Sequence, residues 1–405
     1  MQWIKSNQKK SSIIILLIII IAPIIYHIIN IPENRAIDED TEQMGVSVKS
    51  FGAKGDGVVD DTVAIEAAFN SDVGDLYFPK GTYKITAPIT VMPGEPRKVL
   101  GDSDVVITAE LKANQNLFKL SRNLSFENIE FDFNHGFLQY GIYFNADLGE
   151  ISLKNIKFKN IKDTNSTSST IVVYVLTKGN RLNIQDISFD NMSKKGNGVI
   201  SDGGGNLTCL YVTDLGSRSE AIGHLKNISI TNVHNINETG NIIYEDTSGI
   251  YVITSESDDK NNIKINDVYG YNFGKRLIKL HASNVKINNV SAYSDTNDAL
   301  SVVGVNSGEG LGDKDNNTIE DVTIRGKFNV ALASSGSNTT FRNIDIKIEK
   351  TILEGNNSNS IGVLISGDNA LVENAEIEAA TPVLLRKNGD SVKNAIIKNA
   401  KFYSP

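Results

Sequence analysis

Two stretches of the sequence, "IKINDVYGYN" at residues 263–272 and "VKINNVSAYS" at residues 285–294, share one pattern. In each, apolar and polar residues alternate around a central Asp or Asn, which is typical of a strand with one buried face. The pattern recurs along the chain from residue 124 onward, which indicates an internal repeat. The central residues are Asn128, Asn155, Asp186, Asn227, Asp267, Asn289, Asp321, Asn343, Asn374 and Asn394.

The spacing of these central residues indicates a coil of constant size with insertions of varying length. Successive centres lie 20 to 41 residues apart, and a second strand-like stretch, such as "DALSVVG" at 298–304, precedes most of them. Short strands that stack on the next repeat predict an all-β fold, a parallel β-helix (solenoid). The handedness of crossover connections favours a right-handed coil. Equivalent Asn side chains should then form a hydrogen-bonded ladder.

The stretch "VKSFGAKGDGVVDDTVAIEAAFN" at residues 48–70 predicts the start of this fold. The first coil of such a stack exposes strand edges that need a cover. We predict a short capping helix here, begun by Asp60 or Asp61. Its small apolar side chains would lie on the coil: Val63, Ala64, Ala67 and Ala68. No Gly-Lys-Ser/Thr follows the glycines, which argues against a phosphate-binding loop.

The first 30 residues form a separate segment. Three lysines precede an apolar run at residues 13–29, and four acidic residues follow it between 38 and 42. This predicts a transmembrane helix or uncleaved signal anchor, with the body of the protein in the periplasm or extracellular space. A cleaved signal peptide is the alternative, although no small-x-small cleavage site follows. The predicted domains are therefore the anchor at 1–30, a tether at 31–45, the cap and first coils at 46–110, and the remaining coils at 111–405.

The composition limits which partners and cross-links the chain can have. The formal net charge is −8 and no basic tract offsets it, so we do not expect a nucleic-acid partner. Cys209 is the single cysteine, so no intrachain disulfide can form, and its apolar neighbours predict a buried hydrophobic residue.

The stretch at residues 48–69 and "LYFPKGTYKIT" at residues 76–86 resemble the N-terminal signature of the pectate-lyase-like superfamily. Its members include rhamnogalacturonase- and polygalacturonase-related proteins, mannuronan epimerases and phage tailspikes. The resemblance implies a right-handed β-helix and a polysaccharide ligand. It does not fix a reaction, because one scaffold carries many activities.

Several catalytic motifs of that superfamily are absent. The order of residues in polygalacturonases is not met, because "RLIK" at 276–279 precedes "DTND" at 295–298. No proline lies between Pro96 and Pro382, which excludes the Pro-containing elements of the calcium-dependent pectate lyases and the Asp-Pro-His motif of the epimerases.

The strongest remaining candidate is the stretch 271–290, which holds Lys275, Arg276, Lys279 and Lys286 and no carboxylate. A lyase that acts on uronic acids needs cations to neutralise the carboxylate and a base to remove the adjacent proton. If Ile278 and Leu280 align with Leu300 and Val302, Arg276 lies beside Asp298. The predicted catalytic residues are Lys279, Arg276, His281 and Asp298, with Arg276 neutralising and Lys279 or His281 as the base. The predicted substrate-binding residues are Lys275, Asp295 and Ser301.

Two other kinds of site remain open. A hydrolase would need two carboxylates that flank the sugar bond, and the candidates are Asp202, Glu245, Asp246, Asp295 and Asp298. The histidines His135, His224 and His234 are too scattered for a metal site, and nothing in the sequence requires a cofactor. A cross-coil ion pair with solvated lysines is the structural interpretation of the basic stretch.

These observations predict a membrane-anchored protein that cleaves or modifies an acidic polysaccharide, with lyase-type β-elimination favoured over hydrolysis. The alternative is a non-catalytic β-helix that binds glycan or acts as a scaffold in surface polysaccharide assembly. The last residues, "KNAKFYSP" at 398–405, contain no capping helix. We therefore expect a partner or a second copy of the chain to cover that edge.

Overall fold

Repeated alternation of apolar and polar residues produces two long β-sheets in this chain. The computed structural model describes residues 45–111, 115–134, 138–146, 149–164, 168–196, 207–214, 221–254, 261–306, 314–350, 360–387 and 390–405. Within these ranges no helix is long and apolar enough to cross a membrane. The predicted anchor at residues 13–29 and most of the tether lie outside them.

The first sheet has 17 strands in the described part of the chain. They are β1 (Val46–Ser47), β2 (Asp56–Asp60), β3 (Leu76–Phe78), β4 (Gly81–Ile85), β6 (Arg97–Gly101), β7 (Val105–Ala109), β9 (Leu124–Asp132), β11 (Glu150–Asp163), β13 (Arg181–Lys195), β15 (Ile222–Ile236), β16 (Ile242–Ile243), β18 (Asn262–Phe273), β20 (Val285–Ser294), β22 (Thr318–Lys327), β24 (Thr340–Glu349), β26 (Leu371–Glu378) and β28 (Ile396–Tyr403).

The second sheet has 11 strands, again counted over the described residues. They are β5 (Ile89–Val91), β8 (Asn116–Leu120), β10 (Tyr140–Phe144), β12 (Thr170–Leu176), β14 (Leu207–Thr213), β17 (Thr247–Ile253), β19 (Lys275–His281), β21 (Ala299–Val305), β23 (Val330–Ser334), β25 (Ile361–Ile365) and β27 (Thr381–Leu385). From β8 onward, strands of the two sheets alternate along the chain except at the two-residue β16, and the other successive strands of each sheet pair in parallel. This confirms the predicted parallel β-helix.

The long strands of the first sheet bend at the predicted central residues. Asn155 and Asn160 of β11 have φ angles of 50° and 61°. The left-handed conformation suits Asn because its short polar side chain can form local hydrogen bonds. At the first bend, Asn155 Nδ2 donates to Asn128 Oδ1 at 2.8 Å, and Asn374 Nδ2 donates to Asn343 Oδ1 at 3.2 Å. The predicted ladder is confirmed.

One member of the predicted ladder is wrong. Asn394 lies in a different row, where its Nδ2 donates to Asn369 Oδ1 at 3.0 Å. The residue that continues the first ladder is Asn399, whose Nδ2 donates to Asn374 Oδ1 at 3.2 Å. Two Asn residues five positions apart satisfy the same sequence pattern, and the pairing of Leu371 with Ile396 selects the second one.

The interior is filled by apolar side chains that stack from coil to coil. Phe158 is fully buried, and its ring stacks on Phe131 at 5.2 Å and on Phe189 at 5.1 Å between centroids. Cys209 also lies fully buried in this core, as predicted, and burial raises the pKa of its thiol.

Helix α1 (Thr62–Asn70) covers the first coils, and the predicted face is right in part: Ala68 is buried and Ala64 packs against the core, whereas Val63 and Ala67 are exposed. Its buried residues are Thr62, Ile65, Ala68 and Phe69, whereas Val63 is 79% exposed. The Phe69 ring packs against Phe78, Phe118 and Phe126 of the core, at 5.5–6.3 Å between centroids. Burial of this large ring sets the rotation of the helix, because it removes more apolar area than alanine does.

Asp60 and Asp61 have separate structural roles at the start of the helix. Asp61 accepts hydrogen bonds from the backbone N–H groups of Lys54 and Gly55, at 2.6 and 3.0 Å, and so fixes the glycine-containing loop. Asp60 accepts from the backbone N–H of Thr62 at 3.0 Å and from the hydroxyl of Thr86 at 2.6 Å. Both carboxylates serve the fold, which agrees with the prediction of a cap.

Asp60 should make the stability of the cap depend on pH. Burial acts to raise the pKa of Asp60, but hydrogen bonds from Thr62 and Thr86 outweigh it and hold the pKa below 3.8. Its contribution is therefore complete above pH 3.8 and disappears as the pH falls through the lower folded-state value. We expect Asp60→Asn to cost about 0.5–1.5 kcal/mol at pH 7, because the amide has one acceptor oxygen and so loses the hydrogen bond from Thr62 or the one from Thr86. Thermal unfolding at pH 7 and pH 3 measures this.

Asp104→Asn is the matched control, because Asp104 is 71% exposed and forms an ion pair with Lys80, which is 64% exposed. Exposed pairs contribute little. An unchanged unfolding temperature for Asp60→Asn at pH 7 would contradict the assigned role.

The last described coil leaves apolar side chains in solvent. Ile396, Ile397 and Phe402 of β28 are 57%, 40% and 45% exposed. Ile397 pairs with buried Val372 and Phe402 with buried Ile377, so these are core positions of the preceding coil. The expected partner or second copy at this edge stays a prediction.

Candidate functional site

Side chains on the outward face of the second sheet align in rows from coil to coil. The first row, named the serine–arginine row, contains Thr208, Ser248, Arg276 and Ser301. The second, named the tyrosine row, contains Lys119, Tyr143, Tyr174, Tyr211, Tyr251, Lys279 and Gly304. The third row places His281 beside Ile253. The three rows therefore bring Arg276, Lys279 and His281 together on β19.

Three cations surround one carboxylate on these coils. The carboxylate of Asp246 lies 3.5 Å from Arg276 Nη1, 3.5 Å from Lys279 Nζ and 3.8 Å from Lys275 Nζ. All four side chains are at most 7% exposed, and Lys279 is fully buried. We call these four residues the basic cluster. Burial of a charge is costly unless the charge is paired, and Asp246 is the shared partner of the three basic side chains in this cluster.

Asp246 reaches this position through an insertion. After β15 the chain turns back, and β16 pairs antiparallel with the end of β15. Tyr244, Glu245 and Asp246 follow, and β17 begins at Thr247. Tyr244 lies below the ammonium group of Lys275, 5.4 Å from ring centroid to Nζ. The insertion therefore carries a carboxylate and an aromatic ring to the cations.

Tyr251 and His281 lie beside the basic cluster. Lys279 Nζ lies 4.5 Å from the centroid of the Tyr251 ring, and Tyr251 Oη lies 3.4 Å from His281 Nδ1. Asn306 Nδ2 is 3.0 Å from His281 Nε2. An amide nitrogen can only donate, so Nε2 accepts and the ring proton lies on Nδ1, toward the phenol oxygen. A cation and an N–H donor thus both face Tyr251.

A buried histidine–aspartate hydrogen bond lies on the coils that carry the basic cluster. His234 Nδ1 lies 2.8 Å from Asp298 Oδ2, and both side chains are buried. His234 lies in β15, two residues before its end at Ile236, and Asp298 directly precedes β21. A carboxylate at this distance fixes the orientation and tautomer of the imidazole.

Several buried polar atoms near these groups have no hydrogen-bond partner within the described residues. They are the side-chain amide of Asn235, the hydroxyls of Thr247, Ser248 and Ser301, and Oδ1 of Asp298. Ser248 and Ser301 flank Arg276 in the serine–arginine row. Buried polar groups are normally satisfied by protein, water or ligand. Their concentration here indicates a place for a polar ligand.

The structure brings together most of the predicted site residues and corrects the predicted register. Ile278 pairs with Val303 and Leu280 with Val305, not with Leu300 and Val302. Arg276 therefore lies beside Ser301 and near Asp246. Asp298 pairs with His234, so the predicted Arg276–Asp298 contact is wrong. The physical reason is the turn that precedes β21 and a shift of register after Lys275, which lengthen this coil.

Other predicted residues lie apart from the basic cluster. Asp295 is exposed, and its backbone N–H donates to Asn272 Oδ1 at 3.0 Å. Lys286 is exposed on β20 of the first sheet, as His224 is on β15. Asp202 and His135 lie outside the described residues. Among the residues that the structure describes, no three His, Cys, Asp or Glu side chains are grouped as metal ligands.

Two functional candidates, Tyr251 and His234, received no site role from the sequence. A signal for Tyr251 was present, because tyrosine occupies the same position in "IVVYVL" (171–176), "TCLYV" (208–212) and "SGIYVI" (248–253). His234 gave no such signal, since its partner Asp298 is 64 residues away.

A separate depression of about 570 Å³ lies on the first sheet. Its lining includes Asp102, Asp104, Glu130 and Lys157, charges of both signs. None of its lining residues carries a buried polar atom without a partner. The basic cluster is therefore the stronger candidate for chemistry.

Comparison with known proteins agrees with this architecture. Residues 45–270 match the family model described as rhamnogalacturonase A/epimerase, pectate lyase-like. The pre-neck appendage protein of Bacillus phage phi29 is 38% identical over 116 residues, which are 27% of this chain and only 13% of that protein. The chain thus spans a small part of that relative.

Two solved structures share the fold. A PL6 alginate lyase in complex with a trisaccharide gives a TM-score of 0.61 at 12% identity, covering 88% of this chain and 79% of that chain. The A-module of Azotobacter vinelandii mannuronan C-5 epimerase AlgE4 gives a TM-score of 0.52 at 13% identity, covering 89% and 97%. At such identities the likeness concerns the fold alone.

Proposed function

The chain belongs to the rhamnogalacturonase A/epimerase family of pectate-lyase-like proteins, and from this premise we propose that it cleaves an acidic polysaccharide by β-elimination at the basic cluster. The observation that carries the proposal is the set of three buried cations around Asp246, next to Tyr251 and His281. Unpartnered hydroxyls on both sides of Arg276 add donors for a sugar carboxylate.

The proposed reaction uses the charge of the cluster first. The carboxylate of a uronic acid unit binds to Arg276 and Lys275, with further hydrogen bonds from Ser248 and Ser301. Neutralising that carboxylate makes the adjacent C5 proton more acidic, because negative charge develops there when the proton leaves. The cations supply this stabilisation without reorganisation, since Asp246 and the strands already hold them in place.

Tyr251 is the proposed base. Its phenolate is favoured by Lys279 over the ring and by the Nδ1–H of His281. It takes the C5 proton, and the electrons of that bond form the C4–C5 double bond. The C4–O4 bond breaks, and O4 takes the proton that Tyr251 has just received. Lys279, paired with Asp246, acts as a fixed cation, and His281 orients Tyr251.

Glycan binding without cleavage is the second candidate. The burial of Lys279 and of the other cations favours this candidate. Buried cations can hold a coil together or fix the shape of a binding surface without taking part in cleavage.

Incubation with a panel of polymers tests the proposal. Polyuronates of different linkage should be shortened, as size-exclusion chromatography shows, whereas a neutral glucan of the same length should not. The neutral polymer is the control for non-specific breakdown. If every polyuronate binds measurably but is not shortened, the second candidate is favoured.

We also propose that residues 13–29 anchor the chain in a membrane and that the coils face the periplasm or cell exterior. The order of lysines, apolar run and acidic residues supports this. Protease added to intact cells should digest the coils. Full protection of the coils, with digestion only after lysis, would contradict this orientation.

A further inference from the structure

A continuous row of aromatic rings leads away from the basic cluster. Tyr143, Tyr174, Tyr211 and Tyr251 hold equal positions in four successive coils. Neighbouring ring centroids are 4.9 Å apart at each of the three steps. Tyr140 adds a fifth ring, 5.4 Å from Tyr143 and 5.1 Å from Tyr174.

These rings are available to a ligand. Tyr140, Tyr143, Tyr174 and Tyr211 are only partly buried. Burial raises the pKa of each of these four phenols, so all remain protonated at neutral pH. Within the described residues, the hydroxyls of Tyr140, Tyr143 and Tyr174 make no hydrogen bond to protein. The row thus offers ring faces to C–H groups and hydroxyls to polar groups, which is the chemistry of a sugar surface.

A lysine stands at each end of the rings. Lys119 pairs with Tyr143 on the preceding coil and is exposed. Lys279 follows Tyr251. The two lysines are five coil steps apart, about 24 Å at about 4.8 Å per step. One step is comparable to the length of one sugar unit. On the other side of Lys279 the row continues with Gly304, Ala333 and Leu364, which offer neither ring nor charge.

We infer that the tyrosine row is a binding arm for the acidic polysaccharide, running from the basic cluster toward the N-terminal coils. A uronic acid oligomer lies along the coil axis, its C–H faces contact the rings, and carboxylates meet Lys119 at one end and the basic cluster at the other. This inference rests on the proposed function, since it takes the same polymer as ligand. It adds the direction in which the polymer extends and a site of about six units.

Calorimetric titration with a uronate trisaccharide and a uronate hexasaccharide tests the arm. A trisaccharide seated on the basic cluster ends at Tyr211, whereas a hexasaccharide reaches Lys119. All proteins carry Tyr251→Phe, which keeps the ring and removes the proposed base, so that turnover does not disturb the heats. We expect Tyr174→Ala and Lys119→Ala each to weaken hexasaccharide binding about threefold to tenfold. Trisaccharide binding should not change.

Tyr293→Ala is the matched control. Tyr293 is an exposed, stacked tyrosine on the first sheet, with its ring centroid 5.6 Å from that of Tyr271. The inference would be overturned if Tyr293→Ala weakened hexasaccharide binding as much as the row variants do. It would also be overturned if the row variants lost equal affinity for both oligomers. Equal affinity of the Tyr251→Phe protein, with no further substitution, for both oligomers would also overturn it and leave the proposed function standing. If neither oligomer binds, both proposals fail. Lys119 is exposed, so its variant keeps the test valid should Tyr174→Ala fail to fold.

Discussion

Replacing Arg276 by alanine should lower kcat/KM on the polyuronate about 10²–10³-fold, the range for removal of one preorganised donor to a developing charge. The fold should survive this change. Asp246 keeps two cations, because Lys275 and Lys279 lie 3.8 and 3.5 Å from it. The fall in kcat/KM therefore measures the lost stabilisation of negative charge on the substrate. It does not measure the cost of leaving Asp246 buried without a partner. Initial rates with wild type and variant, together with unfolding temperatures, measure both effects.

Lys286→Ala is the control for that experiment. Lys286 belongs to the same basic stretch of sequence but is exposed on the first sheet. It should retain the wild-type rate. Arg276→Lys should recover part of the activity, since it restores the charge without the planar fork of donors. A wild-type rate in Arg276→Ala would remove the basic cluster from the mechanism.

Replacing Phe158 by alanine should lower the free energy of unfolding by about 3–5 kcal/mol, as large-to-small changes of buried aromatic residues do. The ring is fully buried between two parallel neighbours, Phe131 and Phe189. Its removal leaves a cavity that fixed strands on either side cannot close. Denaturant unfolding followed by circular dichroism measures the loss.

Tyr293→Ala separates stacking from burial. This ring also stacks on an aromatic neighbour, but it is 40% exposed. We expect a loss of about 1 kcal/mol or less. Equal losses at Phe158 and Tyr293 would show that the interior row does not hold the coils together.

The repeat could be predicted from the sequence because each coil needs the same type of residue at the same bend. A left-handed bend in every coil favours Asn or Asp, and their side chains bond along the axis, so the pattern appears at Asn128, Asn155 and their equivalents. The same rule misplaced Asn394, since two bends in one coil carry the same residue type. Packing of Phe69 decided which helix face is buried, and alternation alone does not encode that.

The candidate site was predictable only in part. Arg276, Lys279 and His281 stand in one strand, so the alternation placed them correctly on one sheet. Their carboxylate partner was not predictable, because Asp246 arrives through an insertion whose path depends on the β15–β16 pairing. The contact of Asp298 was misplaced for a related reason. A turn before β21 shifts the register, and nothing in the repeat sets its length.

The most direct test of the proposed chemistry is the ultraviolet absorbance of a polyuronate solution after addition of the full chain. β-Elimination creates a C4–C5 double bond conjugated to the carboxylate at each new end, so absorbance should rise with time, and Tyr251→Phe should abolish the rise. Shortening of the polymer with no rise in absorbance would contradict the account.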